Sequence, residues 1–184
     1  MKTWVIGDTH FGHKNIIEYE SRPFQDTDEM DRIIIKNWNK TVSKGDIVYH
    51  MGDVSFKGVT LTRAIMNGLN GRKFLIKGNH DIGSNDKYIN IGFEKVYDKP
   101  IILHDFIIMS HAPLYLRNLS PFINIHGHIH SKRSPSEDHF NVSVEWINYT
   151  PLLLDSILSK YGYKRQLFAI TNDEEDTEYV QKNK

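Results

Sequence analysis

The sequence predicts an α/β protein folded as one domain. In the first half of the chain, short apolar runs alternate with segments whose apolar residues recur at helical spacing. This alternation predicts right-handed strand–helix–strand crossovers in a sheet with helices on both faces. The length of 184 residues fits a single domain. With 39% hydrophobic and 25% charged residues, the chain has the composition of a globular protein with its own apolar core.

Strand and helix signals alternate through the first half of the chain. The apolar run Thr3–Ile6 ends at Gly7-Asp8, which predicts a strand, and Asn15–Glu20 predicts a short helix. Asp26 is the predicted N-cap of the next helix, with Glu29 as its capping-box partner. The apolar face of that helix is formed by Met30, Ile33, Ile34, Trp38 and Val42. The remaining elements of this half are a strand at Asp46–His50, a helix at Thr60–Leu69 and a strand at Lys73–Lys77.

The second half is richer in strand signals. The segments Pro100–His104 and Phe106–Ser110 flank a predicted turn at Asp105. Further strands are predicted at Phe122–His126, His139–Glu145 and Gln166–Ile170. A helix is predicted at Pro151–Lys160, because Pro suits the first helical turn. We expect the domain to span residues 1–171 and an acidic, polar tail to span residues 172–184.

Composition narrows the functional classes. Lys and Arg together number 23, as do Asp and Glu, so a strongly basic nucleic-acid binder that depends on phosphate neutralisation alone is excluded. Cys is absent, which excludes disulfides and thiolate metal ligands and is compatible with the cytoplasmic location that we expect. No run of about 18 apolar residues occurs, so we expect no membrane span. The apolar stretch before Gly7 is too short for a signal peptide.

Polar side chains follow several predicted strands at their carboxyl ends, where open α/β sheets bind their ligands. These clusters are Asp8-Thr9-His10, Gly52-Asp53, Gly78-Asn79-His80-Asp81, Ser110-His111 and Gly127-His128-Ile129-His130. Side chains two residues apart in an extended chain point the same way, so we expect Asp8 and His10 to bind one cation together. Carboxylate, imidazole and amide donors without sulfur suit Mn, Fe, Zn or Ni. Seven candidate ligands suit two ions that share one carboxylate. Two such ions could stabilise the attacking and leaving oxygens of an in-line displacement.

In this order, the clusters resemble those of the calcineurin-like metallophosphoesterases. The family pattern Asp-x-His, Gly-Asp, Gly-Asn-His-Asp/Glu, His and Gly-His-x-His is met in full between Asp8 and His130. The segment Phe140–Glu145, followed by Pro151 and Asp155, is similar to the last strand and helix of compact bacterial and phage-type members. The resemblance implies the metallo-dependent phosphatase fold, a four-layer α/β-β/α sandwich of two mixed β-sheets flanked by helices.

The resemblance also implies a role for each matching residue. One divalent ion would be held by Asp8, His10 and His130, the other by Asn79, His111 and His128, and Asp53 would bridge the two. Mn is the expected metal, with Fe, Zn or Ni as alternatives. A hydroxide bridging the two metal ions would attack phosphorus in line, and His80 would protonate the leaving oxygen. Asp81 is placed with His80 in the catalytic group, where it either orients a neighbouring group or caps a helix.

Three residues are candidates for contact with the substrate phosphate: His13, Arg22 and Asn79. Arg22 suits bidentate phosphate binding, but an Arg before Pro is also an ordinary turn residue. In the Ser/Thr protein phosphatase branch, the Gly-Asp motif continues with a second Asp and an adjacent Arg. The segment Gly52–Phe56 has neither, which disfavours a protein phosphatase.

We therefore expect a metal-dependent phosphoesterase acting on a phosphate ester, with a nucleotide-like phosphodiester as the favoured substrate. A chain of 184 residues leaves little to build a lid that would enclose one small metabolite. A nuclease or nucleic-acid end-processing enzyme of the same fold is the first alternative, and zero net charge argues against it. A catalytically silent protein-interaction scaffold is the second, and the complete ligand set argues against it. No membrane partner is expected, and monomer and homodimer remain open.

Overall fold

The computed structural model describes residues 1–117 and 120–161, which form two mixed β-sheets with flanking helices. The strands are β1 (Thr3–Ile6), β2 (Ile47–His50), β3 (Arg72–Ile76), β4 (Lys95–Tyr97), β5 (Ile101–Leu103), β6 (Ile107–Met109), β7 (Ile123–His126), β8 (His139–Asn141) and β9 (Leu152–Leu153). The helices are α1 (Lys14–Tyr19), α2 (Thr27–Thr41), α3 (Val59–Gly68), α4 (Asn85–Asn90) and α5 (Leu154–Lys160).

Each sheet contains one antiparallel strand at its edge. The first sheet has the strand order β4-β3-β2-β1-β9 and is parallel except for β9. The second has the order β5-β6-β7-β8 and is parallel except for β5. A bridge between Gly7 and Ser143 joins the end of β1 to the chain after β8. The two sheets therefore meet where β1 ends.

Two apolar cores lie on the two faces of the first sheet. Trp4 and Ile6 belong to the core that contains Trp38 of α2 and Met66 of α3. Val5, between them in sequence, belongs to a second core with residues of the other sheet, among them Ile107, Met109, Ile123 and Ile125. Alternation along a buried strand thus fills both sides of the sheet. The predicted sandwich of two mixed sheets flanked by helices is confirmed.

Strand–helix alternation alone predicted a single sheet, and the structure differs from that expectation. Strands β5 to β8 form a sheet of their own, because β6 pairs with β5 and β7, and β7 pairs with β8. Helix α4 and strands β4 and β9 were not predicted. No helix among residues 1–117 and 120–161 is long and apolar enough to cross a bilayer.

Several predicted boundaries are corrected by pairing between distant segments. The strand predicted at His139–Glu145 ends at Asn141, and the chain then turns. The helix predicted from Pro151 begins at Leu154, because Leu152 and Leu153 pair with β1. The strand predicted at Gln166–Ile170 and the tail predicted at 172–184 lie outside the described residues.

Candidate metal centre

The carboxyl ends of β1, β2, β3, β6 and β7 bring the predicted clusters to one region. Backbone hydrogen bonds join neighbouring clusters: Asp8 N donates to Gly52 O at 3.0 Å, and Gly127 N donates to His111 O at 2.8 Å. Across the two sheets, His128 N donates to Asp8 Oδ2 at 2.9 Å. The cluster at Gly78 is joined through His80 N, which donates to Asp53 Oδ1 at 2.9 Å, so the five clusters form one connected set of loops.

The ligand-bearing segments are tight turns rather than extended strand ends. The angle φ is positive at Asp8 (56°), His10 (48°), Asp53 (56°), His128 (69°) and His130 (48°). A left-handed backbone at a non-Gly residue costs roughly 1–2 kcal/mol, and such residues concentrate at functional sites. The expectation that Asp8 and His10 point together because the chain is extended is wrong. Their side chains converge because the chain turns at each of them.

Glycines allow the backbone to approach the candidate carboxylates. A Cβ atom on Gly127 would overlap Oδ2 of Asp8, and a Cβ atom on Gly78 would overlap Oδ1 of Asp53. Gly52 has a φ of +88°, and a Cβ atom there would lie 2.5 Å from Gly78 N. Glycine is therefore required by close approach of the chain at Gly52, Gly78 and Gly127, and at Gly52 also by its backbone conformation.

The first candidate cluster consists of Asp8, His10 and His130, whose ligand atoms all lie within 4.8 Å of one another. Oδ1 of Asp8 and Nε2 of His10 are buried and have no hydrogen-bond partner. The other Asp8 oxygen accepts from His128 N and Ser143 Oγ, both at 2.9 Å. An anionic oxygen and a ring nitrogen left unpaired in the interior are costly. A cation between them would remove that cost, so this cluster fits a metal ion.

The second candidate cluster consists of Asp53, His111 and His128, again with ligand atoms within 4.8 Å. Oδ1 of Asn79 lies 2.8 Å from Nε2 of His111. Nδ1 of His111 lies 2.6 Å from the carbonyl oxygen of Met51, so Nδ1 carries the hydrogen and Nε2 presents its lone pair. That lone pair faces the Asn79 oxygen, another acceptor, and lies 3.0 Å from Nδ1 of His128. Two acceptors in contact are stabilised by a shared cation, so this cluster also fits a metal ion.

Asp53 belongs to the second cluster and also lies beside the first. Its Oδ2 atom is 3.5 Å from Nε2 of His10 and 3.6 Å from Nε2 of His111. Its other oxygen accepts the backbone N–H of His80 at 2.9 Å. One carboxylate oxygen is therefore close to nitrogens of both clusters.

Burial and neighbouring imidazoles determine the protonation states of Asp8, His10 and Asp53. It raises the pKa of Asp8 to about 6 and lowers the pKa of His10 to about 4. Burial would also raise the pKa of Asp53, but the nearby imidazoles of His10 and His111 lower that pKa to about 2. At neutral pH both acids are mainly ionised and His10 is neutral, and these are the forms that bind metal ions.

His80 and Asp81 are adjacent in sequence but lie in different surroundings. His80 is exposed at the rim, and its ring centroid lies 5.7 Å from that of His10 and 5.1 Å from that of Phe56. Asp81 is buried, with 4% of its surface exposed. The predicted alternative that Asp81 caps a helix is wrong, because α4 begins at Asn85 and its N-cap is Ser84.

The Asp81 carboxylate holds two of the ligand loops. It accepts from Asp53 N at 2.7 Å, Gly78 N at 2.8 Å and Val54 N at 3.1 Å. Burial raises the pKa of this acid, while the three backbone donors favour its ionised form. These contacts favour a role in positioning Asp53 and the loop after Gly78.

Arg22 lies beneath the site instead of facing a substrate. It is 4% exposed, and it donates to Asp8 O at 2.8 Å and to Thr9 O at 3.1 Å. Nε and Nη2 also donate to Oε1 of Glu145, at 2.9 and 2.7 Å. Because these donors are buried and committed to protein acceptors, the predicted contact of Arg22 with a phosphate is contradicted by its placement. Its contacts hold the backbone that carries Asp8.

The other two candidates for substrate contact lie at the rim. His13 Nδ1 is 3.2 Å from His10 Nδ1, and the His13 ring stacks on that of Phe56 with centroids 3.8 Å apart. Both side chains are therefore close to the candidate ligands, and His13 is half-buried there while Asn79 is exposed.

Two residues that contact the clusters were not singled out from the sequence. Ser143 Oγ donates to Asp8 Oδ2, and Glu145 Oε1 lies 3.2 Å from Nδ1 of His130. Neither residue follows a predicted strand end. The similarity of Phe140–Glu145 to the last strand of compact phosphoesterases was the one signal that could have drawn attention to them.

Comparison with known proteins places the chain among phosphoesterases. The calcineurin-like phosphoesterase family matches residues 1–171. An uncharacterized protein of Methanocaldococcus jannaschii is 38% identical over 184 residues, covering 94% of this chain and 97% of that protein. The gene 66 protein of Mycobacterium phage L5 is 38% identical over 82 residues, which is 43% of this chain and 39% of that protein. A solved structure of an Aquifex aeolicus protein of unknown function has a TM-score of 0.67 at 28% identity, covering 85% of this chain and 97% of that chain.

Proposed function

Since the chain belongs to the calcineurin-like phosphoesterase family, we propose that it hydrolyses phosphodiesters with nucleotide-like groups at a pair of divalent metal ions. The observation that best supports a two-ion centre is the position of Asp53. Its Oδ2 lies 3.5 Å from His10 Nε2 in one cluster and 3.6 Å from His111 Nε2 in the other. A carboxylate placed in this way can serve as the ligand that two ions share.

The proposed ligands divide into two sets of three around Asp53. One ion would be held by Asp8, His10 and His130, the other by Asn79, His111 and His128, and Asp53 would be the ligand that they share. Nitrogen and oxygen donors of this kind suit Mn²⁺, our favoured metal, as well as Fe, Zn and Ni. When bound, two such ions lower the pKa of water toward neutrality and neutralise charge on the phosphoryl oxygens.

His80 is the proposed general acid. Its backbone N–H is fixed by Asp53 Oδ1 at 2.9 Å, while its exposed imidazole can reach a leaving oxygen and give it a proton. A positioned acid of this kind contributes roughly 10²- to 10⁴-fold to the rate. Asp81 supports the reaction indirectly, because it holds the backbone of Asp53 and Gly78.

His13 is proposed to contact the phosphate. If His10 ligates through Nε2, its Nδ1 carries the hydrogen and donates to His13 Nδ1, 3.2 Å away. The second nitrogen of His13, Nε2, then carries a hydrogen that can be donated to a phosphoryl oxygen. Asn79 is the second proposed contact, through the amide group at the open side of the site.

An open rim supports a diester over a monoester. Asn79, His80 and His128 are all exposed, so the proposed centre is accessible from the side on which the general acid lies. Phe56 is 44% exposed and contacts the ring of His80. It provides apolar surface beside the expected position of the leaving group. A diester carries a substituent on both sides of phosphorus, and an open rim accommodates both.

The test compares hydrolysis of bis(p-nitrophenyl) phosphate with that of p-nitrophenyl phosphate in the presence of Mn²⁺. The inactivating variant is Asp53→Asn, which removes the proposed bridging charge. The matched control is Asp28→Asn, because the Asp28 side chain is 92% exposed and lies outside both clusters. We expect diester turnover in wild type and in the control, and its loss in Asp53→Asn.

Other outcomes of this assay would change the proposal. Turnover of the monoester alone would contradict a diesterase and indicate a phosphatase acting on phosphorylated metabolites. Unchanged turnover in Asp53→Asn would overturn the metal centre. Bound Mn²⁺ without turnover of either ester would overturn hydrolysis of simple diesters and favour the scaffold alternative.

Nucleic acid is the alternative substrate, and one cavity favours it. A cavity of about 670 Å³ is lined by residues that include Arg133, Trp146 and Lys160. Asn141, also in its wall, donates to the carbonyl oxygen of His130 at 2.8 Å, so the cavity adjoins a proposed ligand loop. Exposed aromatic and cationic side chains are the usual means of holding single strands.

Salt dependence tests this alternative. If the cavity binds single-stranded DNA, the affinity should fall steeply as salt rises, because cations on the protein displace counterions from phosphate. The Arg133→Ala variant should have a shallower dependence, whereas Lys36→Ala, on helix α2, should match wild type. An affinity that does not change with salt would contradict a nucleic-acid substrate.

A further inference from the structure

The carboxylate of Glu145 lies where two ligand loops meet. Its Oε1 atom accepts from Arg22 Nε at 2.9 Å and from Arg22 Nη2 at 2.7 Å. The same oxygen lies 3.2 Å from Nδ1 of His130. All three side chains are largely shielded from water, with 0% of Arg22, 7% of Glu145 and 14% of His130 exposed. A single buried carboxylate oxygen therefore contacts both a guanidinium group and an imidazole.

This contact determines which nitrogen of His130 can bind a metal ion. An ionised carboxylate only accepts hydrogen bonds, so the hydrogen of a neutral His130 must sit on Nδ1. The lone pair is then on Nε2, the nitrogen left free by Glu145. A carboxylate that holds the second nitrogen of a histidine in this way fixes both the tautomer and the ring orientation of a metal ligand.

We infer that Glu145 is a positioning residue that prepares the first cluster for its metal ion, acting on His130 directly and on Asp8 through Arg22. The inference rests on the proposed function, in which Asp8, His10 and His130 hold one of the two ions. The second cluster has its own support, because Met51 O orients His111.

The effect on Asp8 runs through the backbone. Arg22 donates to the carbonyl oxygens of Asp8 and Thr9 at 2.8 and 3.1 Å, in the segment where φ is positive at both Asp8 and His10. The guanidinium is itself oriented by two hydrogen bonds to Glu145. Removing the carboxylate would leave Arg22 buried without its counter-charge, and the turn that carries two of the three ligands would lose its support.

Loss of Glu145 should affect one of the two metal sites and not the other. Glu145 touches the loops of the first cluster, and no described hydrogen bond joins it or Arg22 to His111, His128 or Asn79. Loss of Glu145 should weaken one metal site and leave the other as it is. A residue that served only the overall fold would weaken both sites together, or neither.

The first measurement is Mn²⁺ binding to the metal-free protein by calorimetry. Glu145→Ala should lower the affinity of one site by roughly 10- to 100-fold, the usual effect of removing such a partner, and leave the other site unchanged. Glu145→Gln should have a smaller effect, because its amide oxygen can still accept from His130. The control is Glu94→Gln, at an exposed acid paired with Arg72, and it should bind as wild type does.

The second measurement does not depend on metal or turnover. Nitrogen NMR of the histidine rings in the metal-free protein, at a pH where they are neutral, reports the tautomer of each. We expect His130 to be protonated on Nδ1 in wild type and in Glu145→Gln. In Glu145→Ala the Nε2–H form should become populated, and His111 should keep its Nδ1 hydrogen in every variant.

Several outcomes would overturn the inference. These are an Nε2–H tautomer of His130 in wild type, equal weakening of both sites in Glu145→Ala, or a loss of stability without any change in metal affinity. Complete loss of one site in Glu145→Gln would mean that Glu145 is itself a ligand, since its ligand atom lies within 4.8 Å of those of Glu20 and His130. If wild type binds two ions and the variants behave as expected but no phosphodiester is cleaved, the proposed function fails and this inference stands.

Discussion

The carboxylate of Asp8 lies against the Cα atom of Gly127, at the point where any other residue would carry a Cβ atom. A methyl group there would displace Oδ2 of Asp8 from the amide of His128. We expect Gly127→Ala to lower diester turnover by about 100-fold, because small displacements of catalytic groups have effects of this size. Steady-state kinetics measures the change in turnover, and metal analysis measures the metal content of the same variant.

The control for this variant is Gly45→Ala. A Cβ atom on Gly45 meets nothing within 4 Å, so this protein should turn over at the wild-type rate. Full activity of Gly127→Ala would show that the backbone relaxes without moving Asp8, and the close approach would then be unnecessary for function.

Removal of the proposed general acid should separate turnover from metal binding. His80 is absent from both candidate ligand clusters, so His80→Ala should keep two equivalents of Mn²⁺. Its kcat should fall by roughly 100-fold or more. Metal analysis and kinetics on the same preparation make the comparison, and loss of a metal ion from His80→Ala would contradict the assignment.

The Asp81 carboxylate should contribute to stability as well as to the site. In Asp81→Asn, an N–H₂ group replaces one of the oxygens that accept from the amides of Asp53, Val54 and Gly78. We expect the free energy of unfolding to drop by about 1–3 kcal/mol, as measured by urea denaturation of the metal-free protein. Asp105→Asn, at an exposed turn, should be unchanged, and equal stability of the two variants would refute the role.

Asp46 should make the fold sensitive to acid. Hydrogen bonds from Lys2 N, Trp4 Nε1 and Ser43 N lower its pKa from 3.8 to about 2. A pKa that is lower in the folded state stabilises the protein above the unfolded value and ceases to do so as pH falls through the folded value.

Asp46→Asn should therefore be less stable than wild type at neutral pH, and the difference should shrink as pH falls from about 4 to about 2. Urea denaturation of both metal-free proteins across this range measures the difference. Because Asp8 and Asp53 titrate in both proteins, their contributions cancel. A difference that stays constant with pH would rule out ionised Asp46 as its source.

Features governed by local chemistry were predictable from the sequence. The Asp26 side chain accepts from Glu29 N at 2.8 Å, and α2 begins at Thr27 as the capping signal indicated. Strand β1 has the predicted bounds, because an apolar run that ends at Gly7-Asp8 has few alternatives. The candidate ligands were found because parallel strands carry the residues that follow them to one edge of a sheet.

Features that depend on distant partners were not predictable. Arg22 and Glu145 are 123 residues apart in sequence, and nothing near either residue indicates the pairing. A surface phosphate contact was therefore expected where a buried ion pair exists. Strand β9 has the same origin, since its two residues extend only by pairing with Trp4 and Val5. The left-handed turns at His128 and His130 were also missed, because only Gly marks such a conformation in sequence.

Asp8, His10 and His130 have a left-handed backbone conformation, so the side chains that would bind a metal ion carry a steric cost in the folded protein. Each would be relieved by Gly, which adopts this conformation without the steric cost of a side chain. A Gly substitution that destroys the metal site at one of these positions should therefore recover roughly 1–2 kcal/mol of backbone strain, which offsets part of the contacts that the side chain made. In a lineage no longer selected for hydrolysis, drift would remove the ligands while keeping the sandwich, and inactive descendants would be stable proteins rather than unfolded ones.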